Sequence, residues 1–101
     1  MNKLIKDSEE IYKKEIEKEY AENLSRLRNV IVRTFGTEYL DCFTFQSYNS
    51  FPVAKINDSD LVLSFASNDS LFMRNIKNSR YSTNPINSLK SFYQNFSVLQ
   101  S

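Results

Sequence analysis

Apolar residues recur at helical spacing through the first third of the chain, mostly in steps of four and three. They are Ile5, Tyr12, Ile16, Tyr20, Leu24, Leu27, Ile31 and Phe35. This stripe predicts one long amphipathic helix over residues 3–35, ended by Gly36, the only glycine. The apolar line is thin among charges in residues 1–22 and widens from Leu24 onward. We therefore expect the C-terminal half of the helix to pack on a core, and residues 1–22 to project or to pair with another chain.

Beyond Gly36 the pattern becomes typical of strands. Three aromatic or β-branched segments span residues 38–46, 51–56 and 61–66, separated by the polar turns 47–50 and 57–60. Short connections favour an antiparallel meander. Alternation within the third segment puts Leu61, Leu63 and Phe65 on one face of the sheet.

The last third predicts two helices. Residues 67–70 (SNDS) carry a helix-start signal, and the short helix after them would turn Leu71, Phe72 and Ile76 inward. A polar loop over residues 78–84 would end at Asn84 as an N-cap, with Pro85 in the first helical position. The apolar face of this last helix would comprise Ile86, Leu89, Tyr93 and Phe96.

These elements predict an α+β fold in the order α-β-β-β-α-α, with the helices on one face of the sheet. With 101 residues, of which 41% are apolar, the chain is expected to form a single domain over residues 1–101. The predicted core comprises Leu27, Ile31, Phe43 or Phe45, Leu63, Phe65, Leu89 and Phe96.

Composition narrows the location and the chemistry. The N-terminus lacks the apolar segment of a signal peptide, and the longest uncharged run is too short to span a bilayer. One cysteine precludes an internal disulfide, so we expect a cytoplasmic protein with no membrane association. Histidine is absent and glycine occurs once, which argues against a zinc site, a histidine general base or a phosphate-binding loop. We expect Cys42 to be a half-buried thiol in a strand. We also expect no catalytic residue, metal or cofactor.

Charge marks the C-terminal third as a candidate surface, because Asp69 is the last acidic residue of the chain. The candidate partner-binding residues are Arg74, Lys77, Arg80, Tyr81, Lys90 and Tyr93. Arg74, Lys77 and Arg80 are spaced by three and would share one face of a continued helix. The alternative is an ordinary solvated surface. A second candidate interface is the thin stripe, which would meet a second copy or a partner; its residues are Ile5, Tyr12, Ile16 and Tyr20.

The leading functional hypothesis is a non-enzymatic interaction protein that binds and modulates a larger protein or ribonucleoprotein. Its most specific form is an inhibitor, encoded by a phage or another mobile element, of a host nuclease or defence complex. An alternative is nucleic-acid binding through residues 70–101. A second alternative is a ribonuclease without histidine, in which Arg74, Lys77, Arg80 and Tyr81 would hold the phosphate and move protons.

Overall fold

The fold consists of a long helix, a five-stranded antiparallel sheet and a C-terminal helix. The computed structural model describes residues 2–100, and their side chains from residue 9 onward. Its elements are α1 (Asn2–Phe35), a 3-10 helix (Thr37–Cys42), β1 (Phe43–Tyr48), β2 (Phe51–Ile56), β3 (Leu61–Phe65), β4 (Leu71–Asn75), β5 (Arg80–Tyr81) and α2 (Leu89–Gln100). The α+β class predicted from the sequence is confirmed.

The long helix ends where the sequence predicts. Gly36 donates its N–H to the carbonyl of Val32 at 2.8 Å, which closes the last turn. Its φ of +111° lies in a region that residues with a side chain rarely adopt, so glycine is required here. With ψ at 156°, the chain leaves the helix extended rather than in the left-handed helical conformation expected of the cap.

The strands form a simple meander in the order β1-β2-β3-β4-β5. The bounds of β2 agree with the sequence prediction, and β3 ends one residue earlier than predicted, at Phe65. β1 begins at Phe43 rather than at residue 38, because residues 37–42 form the 3-10 helix. It also runs further, to Tyr48, because Tyr48 pairs with Phe51 and leaves only Asn49 and Ser50 as the turn. Both turn residues have positive φ, as two-residue hairpin turns commonly require.

The prediction of a short helix after residue 70 is wrong. Residues 71–75 form β4, in which Met73 pairs with Leu63 of β3, and β5 follows it. Alternate residues of β4 are buried, which is the burial period of a strand. A helix would have placed Leu71, Phe72 and Ile76 on one side. The sheet therefore has five strands instead of three, and the polar loop expected over residues 78–84 contains β5.

The last helix begins later than predicted. Ile86 forms a bridge with Leu71 as an extra step of sheet pairing, so Asn84 and Pro85 precede the helix instead of opening it. Ser88 is the residue before α2, and its Oγ accepts the N–H of Ser91 at 3.2 Å. Ser88 therefore supplies the N-cap.

Both helices cover the same face of the sheet. One cluster of buried side chains joins Leu27 and Ile31 of α1, Leu63 and Met73 of the sheet, and Leu99 of α2. The residues predicted for the core all belong to this cluster or pack against it, so that prediction is confirmed. Within residues 2–100, no helix combines the length and the apolar character that crossing a membrane requires.

Candidate interaction surface

The other face of the sheet carries neither helix. We call it the open face, and it consists of the strand residues that alternate with the core-facing ones. Its members are Thr44, Gln46, Tyr48, Val53, Lys55, Val62, Ser64, Phe72, Arg74 and Tyr81. Val53 and Val62 are buried, but they are not part of the core cluster, which shows that other side chains of the open face cover them.

Arg74 and Tyr48 form that cover. The guanidinium carbon of Arg74 lies 5.1 Å from the centroid of the Tyr48 ring, in a cation–π contact. Arg74 belongs to β4 and Tyr48 to β1, so the contact spans the two strands between them. Beneath it is a cleft of about 70 Å³, whose walls include Val53, Val62 and Ile76. The contact therefore fixes an aromatic ring and a cation above an apolar floor.

One row of paired residues crosses all five strands. It runs Thr44, Lys55, Val62, Arg74, Tyr81. The two cations of the open face are both in this row. None of the strand residues, all of which the structure describes, is acidic. The open face therefore has an uncompensated positive charge, with exposed rings beside it: Tyr48 and Tyr81 are 47% and 69% exposed.

The structure separates the basic residues predicted to share one helix face. Arg74 and Tyr81 are neighbours across β4 and β5. Arg80 pairs with Asn75 and therefore alternates to the other side, where its guanidinium donates to the carbonyl of Val98 in α2 at 3.3 Å. Lys77 lies in the turn between the two strands. Only Arg74 and Tyr81 of these four belong to the open face.

The remaining two candidates, Lys90 and Tyr93, lie on α2, on the helical side of the molecule. Tyr93 lines a groove of about 430 Å³ between the end of α1, the 3-10 helix and α2. Half of the residues that line the groove are aromatic, and Phe35 and Phe92 are in edge contact at 5.4 Å between ring centroids. Cys42, predicted to lie in a strand, is instead the last residue of the 3-10 helix and is exposed at the rim of the groove as a free thiol.

The second candidate interface lies on α1. Tyr12 is 68% exposed and Ile16 37%, while Tyr20 is half-buried. Ile5 lies outside the described side chains. Every described side chain from Glu9 to Glu19 is exposed, so this part of the stripe has no intramolecular cover.

The four residues of the ribonuclease hypothesis, Arg74, Lys77, Arg80 and Tyr81, do not share one face of the sheet. Arg74 and Arg80 point to opposite faces of the sheet, and each guanidinium already has a contact. Within the described part of the chain, no group of three or more cysteine or acidic side chains is arranged to hold a metal ion. What the open face offers is a fixed set of rings, cations and polar groups for contact.

Sequence reasoning missed Tyr48, Lys55 and Phe72 as parts of this surface. The local pattern predicts a turn at Tyr48 and a helix that directs Phe72 inward. The available signal was alternation: Leu71, Met73 and Asn75 follow the same period of two as Leu61, Leu63 and Phe65. Read that way, residues 71–75 predict a strand with Phe72 and Arg74 on the face away from the core.

Comparisons with protein-family models, with curated proteins and with solved structures find no match to this chain.

Proposed function

We propose that this protein is a non-enzymatic binding protein and that the open face is its working surface. The observation that carries this proposal is the arrangement of Tyr48, Arg74 and Tyr81 on a sheet face that no helix covers. Tyrosine and arginine are enriched among residues that dominate binding energy at protein interfaces. A ring already held by a guanidinium loses little conformational entropy on binding, which favours affinity.

The charge of the open face indicates an acidic partner. Lys55 and Arg74 have no carboxylate beside them on any strand. A partner that presents carboxylates would gain electrostatic attraction during encounter, whereas a basic partner would be repelled. Inhibition of a nuclease or defence complex through such contact stays a prediction within this class of function.

A charge reversal at Arg74 tests the proposal. Partners would be captured from cells of the native source with the full chain and identified by mass spectrometry, and their affinity would then be measured with the purified proteins. Arg74→Glu is expected to weaken binding by about 30-fold or more, the effect of losing a dominant interface residue. The matched control is Lys90→Glu, which makes the same charge change on the exposed surface of α2 and should leave affinity unchanged. Equal affinity of Arg74→Glu and wild type would refute the open face as the working surface.

Nucleic-acid binding is the second candidate, and one observation favours it. Two exposed rings, Tyr48 and Tyr81, flank Arg74 on a sheet face, and such platforms stack unpaired bases. Affinity for a short single-stranded oligonucleotide should then fall steeply with rising salt, because bound cations are released from the phosphates. Absence of binding at low salt would eliminate this candidate and leave the acidic protein partner.

A further inference from the structure

We infer that a second copy of this chain is a ligand of the open face. In this reciprocal dimer, residues 9–22 of α1 from each copy lie across the open face of the other. The inference rests on the proposed function, because it takes the open face as the docking surface and names what docks there.

The chain cannot cover its own open face with α1. The helix is continuous from Asn2 to Phe35, and Leu27 and Ile31 in its second half are completely buried against the opposite face of the sheet. A straight helix held on one face cannot return to the other. The segment that could cover the open face must therefore come from another copy.

The apolar stripe of α1, in which Tyr12 and Ile16 are exposed and Tyr20 is half-buried, points in the direction that such a dimer requires. Tyr12, Ile16 and Tyr20 are spaced by four and continue the side of the helix that carries Leu24 and Leu27. These side chains therefore point toward the plane of the sheet, at a position just beyond the ends of its strands. A second sheet placed there would lie directly under the stripe.

Contacts of Arg26 mark the end of the sheet. Its guanidinium donates to Asp69 at 2.7 Å and to the carbonyl of Ser67 at 3.4 Å, both in the turn between β3 and β4. Residues N-terminal to about position 23 extend past this turn. A two-fold axis that lies in the plane of the sheet, at these turns, would place the two sheets end to end. The helix-covered face of one copy would then lie on the same side as the open face of the other. This arrangement brings each helix over the open face of the other copy, and the assembly closes as a dimer.

The dimensions agree. Residues 9–22 form 14 residues of helix, a length of about 21 Å. Strands β1 to β4 have five or six residues, which span roughly 17–20 Å. The projecting part of the helix is therefore about as long as the strands that it would cover. The result is a sheet with helices on both faces, a standard layered architecture.

Charge complementarity supports docking of α1 on the open face. Residues 9–22 contain six glutamates and three lysines, whereas the open face has two cations and no carboxylate. Glu15 and Glu19 form the row beside Tyr12 and Ile16. An antiparallel pair of α1 helices centred on Ile16 would bring the Glu15 and Glu19 rows of the two copies together, with like charges in contact. On the open face the same carboxylates would meet Lys55 and Arg74.

A charge-swap experiment tests the pairing with the full chain. Sedimentation equilibrium would be measured for wild type, for the helix variant Glu15→Lys/Glu19→Lys, for the face variant Lys55→Glu/Arg74→Glu, and for the combined variant. We expect a wild-type dimer, about tenfold or greater weakening in each double variant, and recovery in the combined one. The control Lys90→Glu should dimerise as wild type does. A wild-type monomer at the highest soluble concentration, or a dimer unaffected by the face variant, would overturn the inference.

Cross-linking distinguishes this dimer from a helix pair. In a Cys42→Ser background, chains with Ile16→Cys and chains with Ser64→Cys would be oxidised alone and as a mixture. The reciprocal dimer is expected to give a disulfide-linked dimer only in the mixture. A disulfide formed by Ile16→Cys alone would show that the helices pair with each other and would sink the inference.

The outcomes separate this inference from the proposed function. A monomeric wild type whose external partner is lost on Arg74→Glu would retain the working surface and reject the dimer. If Arg74→Glu retains both dimerisation and partner binding, the proposed function and the reciprocal dimer are both rejected.

Discussion

At the scale of single residues, buried polar groups join the second helix to the sheet. Asn75 is 9% exposed and donates its amide N–H to the carbonyl of Leu99 at 3.2 Å, while its Oδ1 accepts the N–H of Lys77 at 3.0 Å. Asn75→Leu removes these hydrogen bonds, together with one from the N–H of Asn78 at 3.4 Å, and deprives the carbonyl of the buried Leu99 of this donor. We expect it to lower the free energy of unfolding by about 1–3 kcal/mol in chemical denaturation. Asn29→Leu, at an exposed site on α1, is the control and should change stability by no more than about 0.5 kcal/mol. Equal effects of the two variants would contradict this role for Asn75.

The centre of the core gives a second prediction at this scale. Leu63 is fully buried in β3, where it pairs with Ala54 and Met73. Leu63→Ala removes apolar contacts and leaves a cavity, so it should cost about 2–5 kcal/mol in chemical denaturation. A loss near 0.5 kcal/mol, as at surface sites, would mean that β3 presents its other side to the helices.

At the scale of elements, the two-residue turn between β1 and β2 lets β1 extend to Tyr48 and so adds this residue to the open face. Asn49 and Ser50 have φ of 51° and 65°, a conformation that is unfavourable for serine. Ser50→Gly relieves that strain and creates an Asn-Gly turn, which suits a two-residue hairpin. We expect a gain of about 0.5–1 kcal/mol in unfolding free energy. Ser47→Gly, within β1, should instead destabilise by a similar amount. Destabilisation by Ser50→Gly would indicate that the turn has another geometry.

At the scale of the whole molecule, the projecting segment of α1 and the rest of the described chain carry opposite net charge. Residues 23–101 contain eight basic and five acidic residues, whereas residues 9–22 are net negative. Because the described core begins after residue 22, deletion of residues 1–22 should leave a folded domain with its circular-dichroism signal of sheet and helix. Its thermal midpoint should not depend on concentration, whereas the midpoint of the full chain should rise with concentration if the dimer forms. An unfolded deletion variant would show that the projecting helix also supports its own core.

Local pattern alone predicted α1, β2 and β3 almost to the residue. In α1, a continuous stripe and charges four residues apart indicate a helix with no contribution from the rest of the chain. Gly36 was identified for the same kind of reason, because a positive φ at a helix end is a local requirement. The candidate site was predicted in part: Arg74 and Tyr81 do lie together, but through strand pairing rather than a shared helix face.

Tertiary structure decided the rest. Residues 67–70 suit a helix cap and a hairpin turn equally, since Asn68 Oδ1 accepts the N–H of Ser70 at 3.2 Å within the turn that forms. Pairing with β3 selected the strand, because it buries Leu71 and Met73 beside residues distant in sequence. Tyr48 and Arg74 are 26 positions apart in the chain, and only the order of the strands brings them into contact. The sequence determines which segments are apolar on one side; long-range pairing determines which side remains open, because it depends on partners that no local window contains.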